Sequence, residues 1–224
     1  MMHQQKGKKS LIYFFLFILV GSINNKSFSN IKFDKIENIK VTGLNQIENS
    51  NIKKKIKDIN LDNIFFINPD HINQIIDSNT LVEKYTVFKN YPSTIDIKII
   101  KTNFLAQINN GGKIFIIGSN GKLSDNNLNN HKLPFIFGKP DVNEFLSFKT
   151  ILDNSKFNYE NIKNFYFFPS KRWDIELKNN IIIKLPKKNM KSSLDNAFQF
   201  MNNPDFKNIN IIDARVQNQI IIND

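Results

Sequence analysis

"VFKNYPSTIDIKIIKTNFLA", residues 87–106, decides the fold class. Isoleucines at 95, 97 and 99 alternate with polar residues, the period-two pattern of a strand with one buried face. Just upstream, "LVEKYTVFKNYP" (81–92) carries Val82, Tyr85 and Val87 in a similar alternation and reads as a second strand. Tyr91-Pro92 lies between the two, and proline, lacking a backbone donor, marks a turn or a strand edge there.

Toward the amino side, "IENIKVTGLNQIENSNIKKKIKDI" (36–59) predicts a strand over 36–41, a turn at Gly43, and a helix with Ile47, Ile52, Ile56 and Ile59 at near-helical spacing. Asn49 or Ser50 is the expected cap of that helix. "NIFFINPDHINQIIDSN" (63–79) predicts a second helix, with Asn68 as N-cap, Pro69 in the first turn, and Ile72, Ile75 and Ile76 on one face. The order is β-α-α-β-β, and both helices are expected on one face of a small three-stranded sheet.

Toward the carboxy side the pattern changes. "GGKIFIIGSNGKLS" (111–124) predicts a hairpin around Asn120-Gly121, a type I′ signal. "KLPFIFG" (132–138) reads as a short strand, and residues 141–153 as a helix opening at Asp141 with Val142, Phe145, Leu146, Phe148 and Leu152 as its apolar set. "RWDIELKNNIIIKLP" (172–186) alternates through Trp173, Ile175 and Leu177, turns at Asn179-Asn180, and returns through Ile181, Ile183 and Leu185. A helix over Met190–Met201 precedes "INIIDARVQNQIIIND" (209–224), which ends the sequence on two isoleucine runs suited to a pleated, half-buried surface.

At the amino end, Lys6, Lys8 and Lys9 stand just before an uncharged apolar run from Leu11 to Ile23. That is the pattern of a segment inserted with its basic end in the cytoplasm. The run is shorter than the roughly 20 apolar residues of a spanning helix, and Ser27-Phe28-Ser29 offers a small-x-small cleavage site. An anchor and a cleaved signal therefore both fit. A buried core helix fits less well, because Asn24, Asn25 and Lys26 end the run.

Composition excludes several function classes. The net charge of +11 is almost all lysine, dispersed along the chain, with arginine only at Arg172 and Arg215. With no arginine cluster, finger spacing or RNA-recognition motif, nucleic acid is not an expected partner. The abundance of isoleucine, lysine, asparagine and phenylalanine reads equally well as the codon bias of an AT-rich genome. Cysteine is absent, so neither a disulfide framework nor a thiol nucleophile is available. His3, His71 and His131 are far apart and lack ligand spacing, so no metal is expected. "GSNGKLS" lacks the phosphate-loop spacing and sits on a hairpin. Asp174 and Glu176 alternate with Trp173 and Ile175, placing them on the outward face of a strand. No catalytic residue, cofactor or small-molecule ligand is expected.

The order of these segments resembles the FtsQ family of bacterial cell-division proteins, called DivIB in some groups. "IKVTGLNQI", "NIFFIN" and above all the 87–106 stretch are similar to its POTRA domain, with Asn103-Phe104 where proline is common before Leu105-Ala106. "KLPFIFG", the Trp173–Pro186 hairpin with Asn180 in place of glycine, and the closing Ile-Asp-x-Arg strand are similar to its β domain; asparagine also tolerates positive φ. The resemblance implies an α+β chain: a cytoplasmic tail (1–10), a transmembrane anchor (11–26), a POTRA domain (31–103), and a mostly antiparallel β domain with two helices (104–224). It favours the anchor over the cleaved signal. It implies a single-pass inner-membrane protein with its bulk in the periplasm, acting at the division septum as a non-enzymatic scaffold.

In that family the terminal region binds FtsB, itself paired with FtsL, and acts indirectly on FtsW and FtsI. Carried over by motif, the partner edge comprises Asp213, Arg215, Val216, Gln217, Asn218, Gln219 and Ile220, with Arg215 facing an acidic partner side chain. A terminal strand with an open edge suits such pairing. Two plainer readings stand beside it: Asp213 and Arg215 share a strand face as a surface ion pair, and residues 216–222 fold back as a hairpin over their own edge. Two other functions fit parts of the sequence. POTRA modules also handle β-strand clients in outer-membrane assembly or translocation, where tandem modules or a barrel are expected; and an exported lysine-rich chain suits anionic cell-wall polymer.

Overall fold

In a computed structural model, residues 4–23, 35–59, 61, 63–125, 133–203, 209–216 and 219–223 are described. Ser27, Phe28, Ser29, His3, His131, Gln217 and Asn218 lie outside them. Helix α1 (Gln4–Ile23) carries an uninterrupted exposed apolar stretch from Leu11 to Val20. No helix among the described residues is long and apolar enough to cross a membrane.

Strands β1 (Asn38–Thr42), β2 (Val82–Asn90) and β3 (Thr94–Lys101) form a sheet of order β1-β3-β2, with β1 parallel and β2 antiparallel to β3. Between β1 and β2 run α2 (Gln46–Asp58) and α3 (Pro69–Asp77). Ile52, Ile56, Ile72 and Ile76 pack with Ile39, Val82, Ile95, Ile97 and Ile99 in one buried cluster, so both helices cover one sheet face. The irregular step from Val82 to Tyr85 is taken up by a register shift between Val82 and Lys84, the effect of a residue bulged out of a ladder.

Asn68 caps α3, accepting from the Asp70 N–H at 2.9 Å, with Pro69 in the first turn. The cap of α2 differs from expectation. Asn45 accepts from the Glu48 N–H at 2.8 Å, while Asn49 clips the Leu44 backbone through both its amide oxygen and nitrogen. The helix therefore starts earlier, and Ile47 points to solvent at 72% exposure. Gly43, at φ +113°, admits no side chain: an added Cβ would lie 1.8 Å from the Ile99 carbonyl oxygen.

The second unit is one nine-stranded sheet of order β12-β11-β10-β9-β8-β7-β4-β5-β6. Its strands are β4 (Phe104–Asn110), β5 (Lys113–Gly118), β6 (Leu123–Asp125), β7 (Phe135–Phe137), β8 (Ile162–Phe167), β9 (Trp173–Leu177), β10 (Ile182–Lys184), β11 (Ile211–Asp213) and β12 (Ile221–Asn223). Most neighbours are antiparallel; β4 with β7, β7 with β8, and β10 with β11 are parallel. Asp141 is the N-cap of α4 (Val142–Asp153), whose Glu144 accepts from the Asp141 N–H at 3.1 Å. The second helix, α5 (Met190–Met201), connects β10 to β11.

Register carries one apolar row across most of this sheet: Phe115, Ile108, Ile136, Phe165, Ile175, Ile183, Ile212 and Ile222 stand opposite one another in turn. Trp173, 3% exposed, stacks on Phe148 of α4 at 4.6 Å and 2° between planes, and meets Phe167 at 4.7 Å. Both helices close over this face: Leu152, Leu194 and Ala197 belong to the same buried cluster. Asn180 takes φ +67°, as its turn requires.

The Asn120-Gly121 turn is present but is not type I′, because only Gly121 has positive φ; the paired positive values fall at Gly111 and Gly112, between β4 and β5. Asn120 is held instead by the first unit. Its amide nitrogen donates to the carbonyls of Thr80 and Val82 at 2.9 and 2.8 Å. Glu83 accepts from Thr102 Oγ1 at 2.9 Å and Ser119 Oγ at 2.7 Å, so the turn is bolted to the start of β2.

Truncating Phe148 to alanine removes the ring that Trp173 stacks on and should cost about 3–5 kcal/mol, as for other buried aromatic truncations. Urea denaturation would show this as a lower midpoint at unchanged slope. A loss within experimental scatter would mean that α4 is not held by this stack.

Candidate functional site

The terminal strands form the far edge of the nine-stranded sheet. Because β10 and β11 are parallel, α5 returns the chain so that Ile212 lies beside Ile183, both fully buried. The chain then reverses. Ile211, Ile212 and Asp213 of β11 pair antiparallel with Asn223, Ile222 and Ile221 of β12. The fold-back reading of the last residues is therefore the one the structure has, and the outer strand of the sheet is β12, not β11. All three β12 residues are exposed, Ile221 at 56% and Ile222 at 36%.

On the opposite face a polar row crosses the same strands. Phe137, Tyr166, Asp174, Lys184, Asp213 and Ile221 are successive register partners. Phe137 and Tyr166 stack at 5.0 Å. Asp174 is on the outward face, as its alternation predicts, yet is only 4% exposed. Burial raises its pKa, opposed by Arg172, whose Nε donates to it at 3.2 Å. Lys184 sits between Asp174 and Asp213, so charge alternates along the row.

Asp213 and Arg215 are brought together. Arg215 Nε donates to Asp213 Oδ1 and Oδ2 at 2.8 and 2.9 Å, and its backbone N–H to Oδ1 at 3.1 Å. These bonds from Arg215, led by the guanidinium's, hold the Asp213 carboxyl below its usual range. Arg215 lies past the end of β11, so the two share a turn and not a strand face. Its guanidinium thus has a partner within its own chain. Val216 is 49% exposed and Gln219 is exposed, whereas Ile220 packs partly against the core. Arg215 also lines an open cleft with Lys156, Lys188, Lys191 and Asp195.

Sequence reading missed a tightly bonded polar group of this face. Glu176 accepts from Lys163 Nζ at 2.7 Å, Asn164 Nδ2 at 2.8 Å and Tyr166 Oη at 2.7 Å. Burial works to raise its pKa, and the three donors outweigh it, bringing the carboxyl down to about 2. Tyr166 moves up to about 12, by burial and by its bond to Glu176. The signal was present in the alternation of 173–177, but only the β8–β9 register brings these groups together. Among the described residues, no group of three histidines or carboxylates is placed to hold a metal ion, and His71 is exposed on α3.

Comparison with known proteins agrees with this architecture. The family described as POTRA domain, FtsQ-type, matches residues 34–101, and the family described as cell division protein FtsQ/DivIB, C-terminal, matches residues 101–215. The chain is 27% identical to cell division protein FtsQ of Rickettsia bellii over 174 residues, covering 71% of this chain and 60% of that protein. It is 24% identical to the FtsQ of Rickettsia conorii, covering 84% of this chain and 72% of that protein. To cell division protein DivIB of Clostridium acetobutylicum it is 32% identical over 107 residues, covering 47% and 41%.

The depressed Glu176 carboxyl gives a signed pH dependence. Its contribution to stability is complete above its ordinary value of 4.5 and is lost as pH falls toward about 2. Glu176→Gln should flatten that part of the acid limb in denaturant titrations across the window. An unchanged acid limb would show that Asp213, Asp195 and Glu144, also held low, account for it alone.

Proposed function

The chain belongs to the FtsQ/DivIB family of cell-division proteins, and from that premise we propose that it is a non-catalytic septal scaffold. In this reading its β12 edge takes a strand of FtsB, paired with FtsL, and the assembly acts indirectly on the septal peptidoglycan synthase FtsW and FtsI. The observation that carries this is the unfinished apolar row. Six residues of the row are buried and Phe115 is partly so, but at its far end the row stops on Ile222, 36% exposed, beside Ile212 at 0%. A tenth strand would cover Ile222 and satisfy the outward backbone groups of β12. Backbone bonds then supply affinity and the alternating side chains specificity.

Asp213 and Arg215 take a different part from the one the motif alone suggests. Their mutual bonds fix the turn that sends the chain back into β12. An acidic partner side chain would share the guanidinium with Asp213 or settle among the lysines of the adjoining cleft. Val216, Gln219 and Ile220 lie between that turn and the pairing strand.

α1 is read as the membrane anchor. Its exposed apolar stretch is short for a hydrocarbon core of about 30 Å, and flanking lysines that extend their stems toward the headgroups lengthen its effective reach. The bulk of the chain then lies in the periplasm at the septum.

Photocrosslinking in cells tests the edge. Probes at Ile221, Ile222 and Asn223 should give adducts with a small single-pass coiled-coil protein, stronger at alternate positions. Adducts only within the chain would place the partner elsewhere. Arg215→Glu, which turns the pair with Asp213 into a repulsion, should weaken complex formation by disordering the turn; undiminished binding would show that the turn is dispensable.

A further inference from the structure

The first unit has two distinct ends. At one, the Asp77–Glu83 segment is bolted to the nine-stranded unit through Asn120, Ser119 and Lys122. The other end is reached along β2, whose nine residues span about 30 Å at roughly 3.3 Å each. There the loops around Asn63–Phe66 and Tyr91–Ser93 flank the incoming chain. Lys35 bridges Asn63, and the Glu37 and Asn38 N–H groups donate to the Ser93 carbonyl at 3.0 and 3.3 Å. Residues 35–38, at the amino-terminal entry to the first unit, therefore lie between these loops.

That end presents three aromatic rings to solvent. Phe65 is 50% exposed, Phe66 73% and Tyr91 61%, and the Phe65 and Tyr91 rings lie 5.0 Å apart. The exposure is built in. Ile64, fully buried, pins the loop, while Asn63 Oδ1 accepts from the Phe65 and Phe66 N–H groups at 3.1 and 3.3 Å and turns both rings outward. Lys35, which bridges Asn63, and Lys89, two residues before Tyr91, are both exposed. An ordered loop that displays phenylalanine and tyrosine beside lysines matches the chemistry of the membrane interface, where amphipathic rings sit at headgroup level and lysines face lipid phosphates.

We propose that Phe65, Phe66 and Tyr91 form a tip that seats in the headgroup layer of the bilayer, holding the first unit upright with the nine-stranded sheet directed away from the membrane. The occupant is lipid and not a protein because the tip lies where the chain arrives from the exposed apolar stretch of α1, at the end opposite the second unit. The proposal rests on the anchor reading of α1 for its orientation.

The chain contains no cysteine, so single nitroxide labels can be placed cleanly in the full-length protein. Phe66→Cys, Phe15→Cys on α1 and Lys53→Cys on α2 would each be labelled and reconstituted in phosphatidylethanolamine–phosphatidylglycerol vesicles. Collision with oxygen would be compared with collision with a water-soluble nickel chelate. The tip predicts that oxygen dominates at positions 66 and 15 and nickel at 53. Oxygen at 15 with nickel at 66 would overturn the tip and leave the anchor standing. Nickel at 15 with oxygen at 66 would keep the tip as a peripheral contact and remove the anchor. Nickel at both would overturn both, and a label at 66 screened from both reagents would mean protein covers the tip and would overturn it as well. Since Phe66 is outside the core, none of these results would arise from unfolding.

Discussion

The apolar row that runs across the nine-stranded sheet is the constraint on which the rest of the second unit depends. Every strand but β6, where Asp125 faces Phe115, contributes one residue to it, and a slip of one position in any of these pairings would turn that strand's apolar side chains to the wrong face. The Trp173 stack sits beside the row and ties it to α4, so register, helix packing and strand order are fixed together. The polar row on the other face follows from the same register. Asp174, Lys184 and Asp213 alternate in charge only because Ile175, Ile183 and Ile212 have been matched behind them.

The same constraint is why a partner strand is proposed at the carboxy-terminal edge. A row that must be continuous to be covered is left incomplete at Ile222, and β12, three residues long, has a strand on one side only among the described residues. Fold-back of the chain protects β11 without closing the sheet. The edge is thus shifted outward by one strand, and its new outer face is isoleucine flanked by polar residues. The bolt at Glu83, Ser119 and Asn120 makes the orientation of this edge relative to the first unit a property of the folded chain.

Much of this was legible in the sequence. The Ile95-Ile97-Ile99 alternation, Asn68-Pro69, Asp141 and the Asn180 turn each rest on local chemistry, and each is found in place. What was not legible is non-local or degenerate. Asn49 and Ser50 have the same local chemistry as Asn45, which is the actual cap of α2, and Asn49 is instead taken up by its clip on Leu44. Strands β4 and β8 begin with register shifts that interrupt their alternation, and β7 pairs in parallel with both through contacts no local pattern encodes. Asn120-Gly121 looked like a free hairpin turn because its bonds go to residues some forty positions away. At the candidate site, both the open edge and the fold-back were readable from the isoleucine runs; pairing with β11 selected the second.

Addition of a partner strand to β12, completing the row, is read directly by backbone amide hydrogen exchange of the full chain, with and without the periplasmic segment of FtsB. Exchange should slow at Ile221, Ile222 and Asn223 when the complex forms, while β6, at the opposite edge, is unaffected. A complex that forms with no added protection in β12 would contradict it.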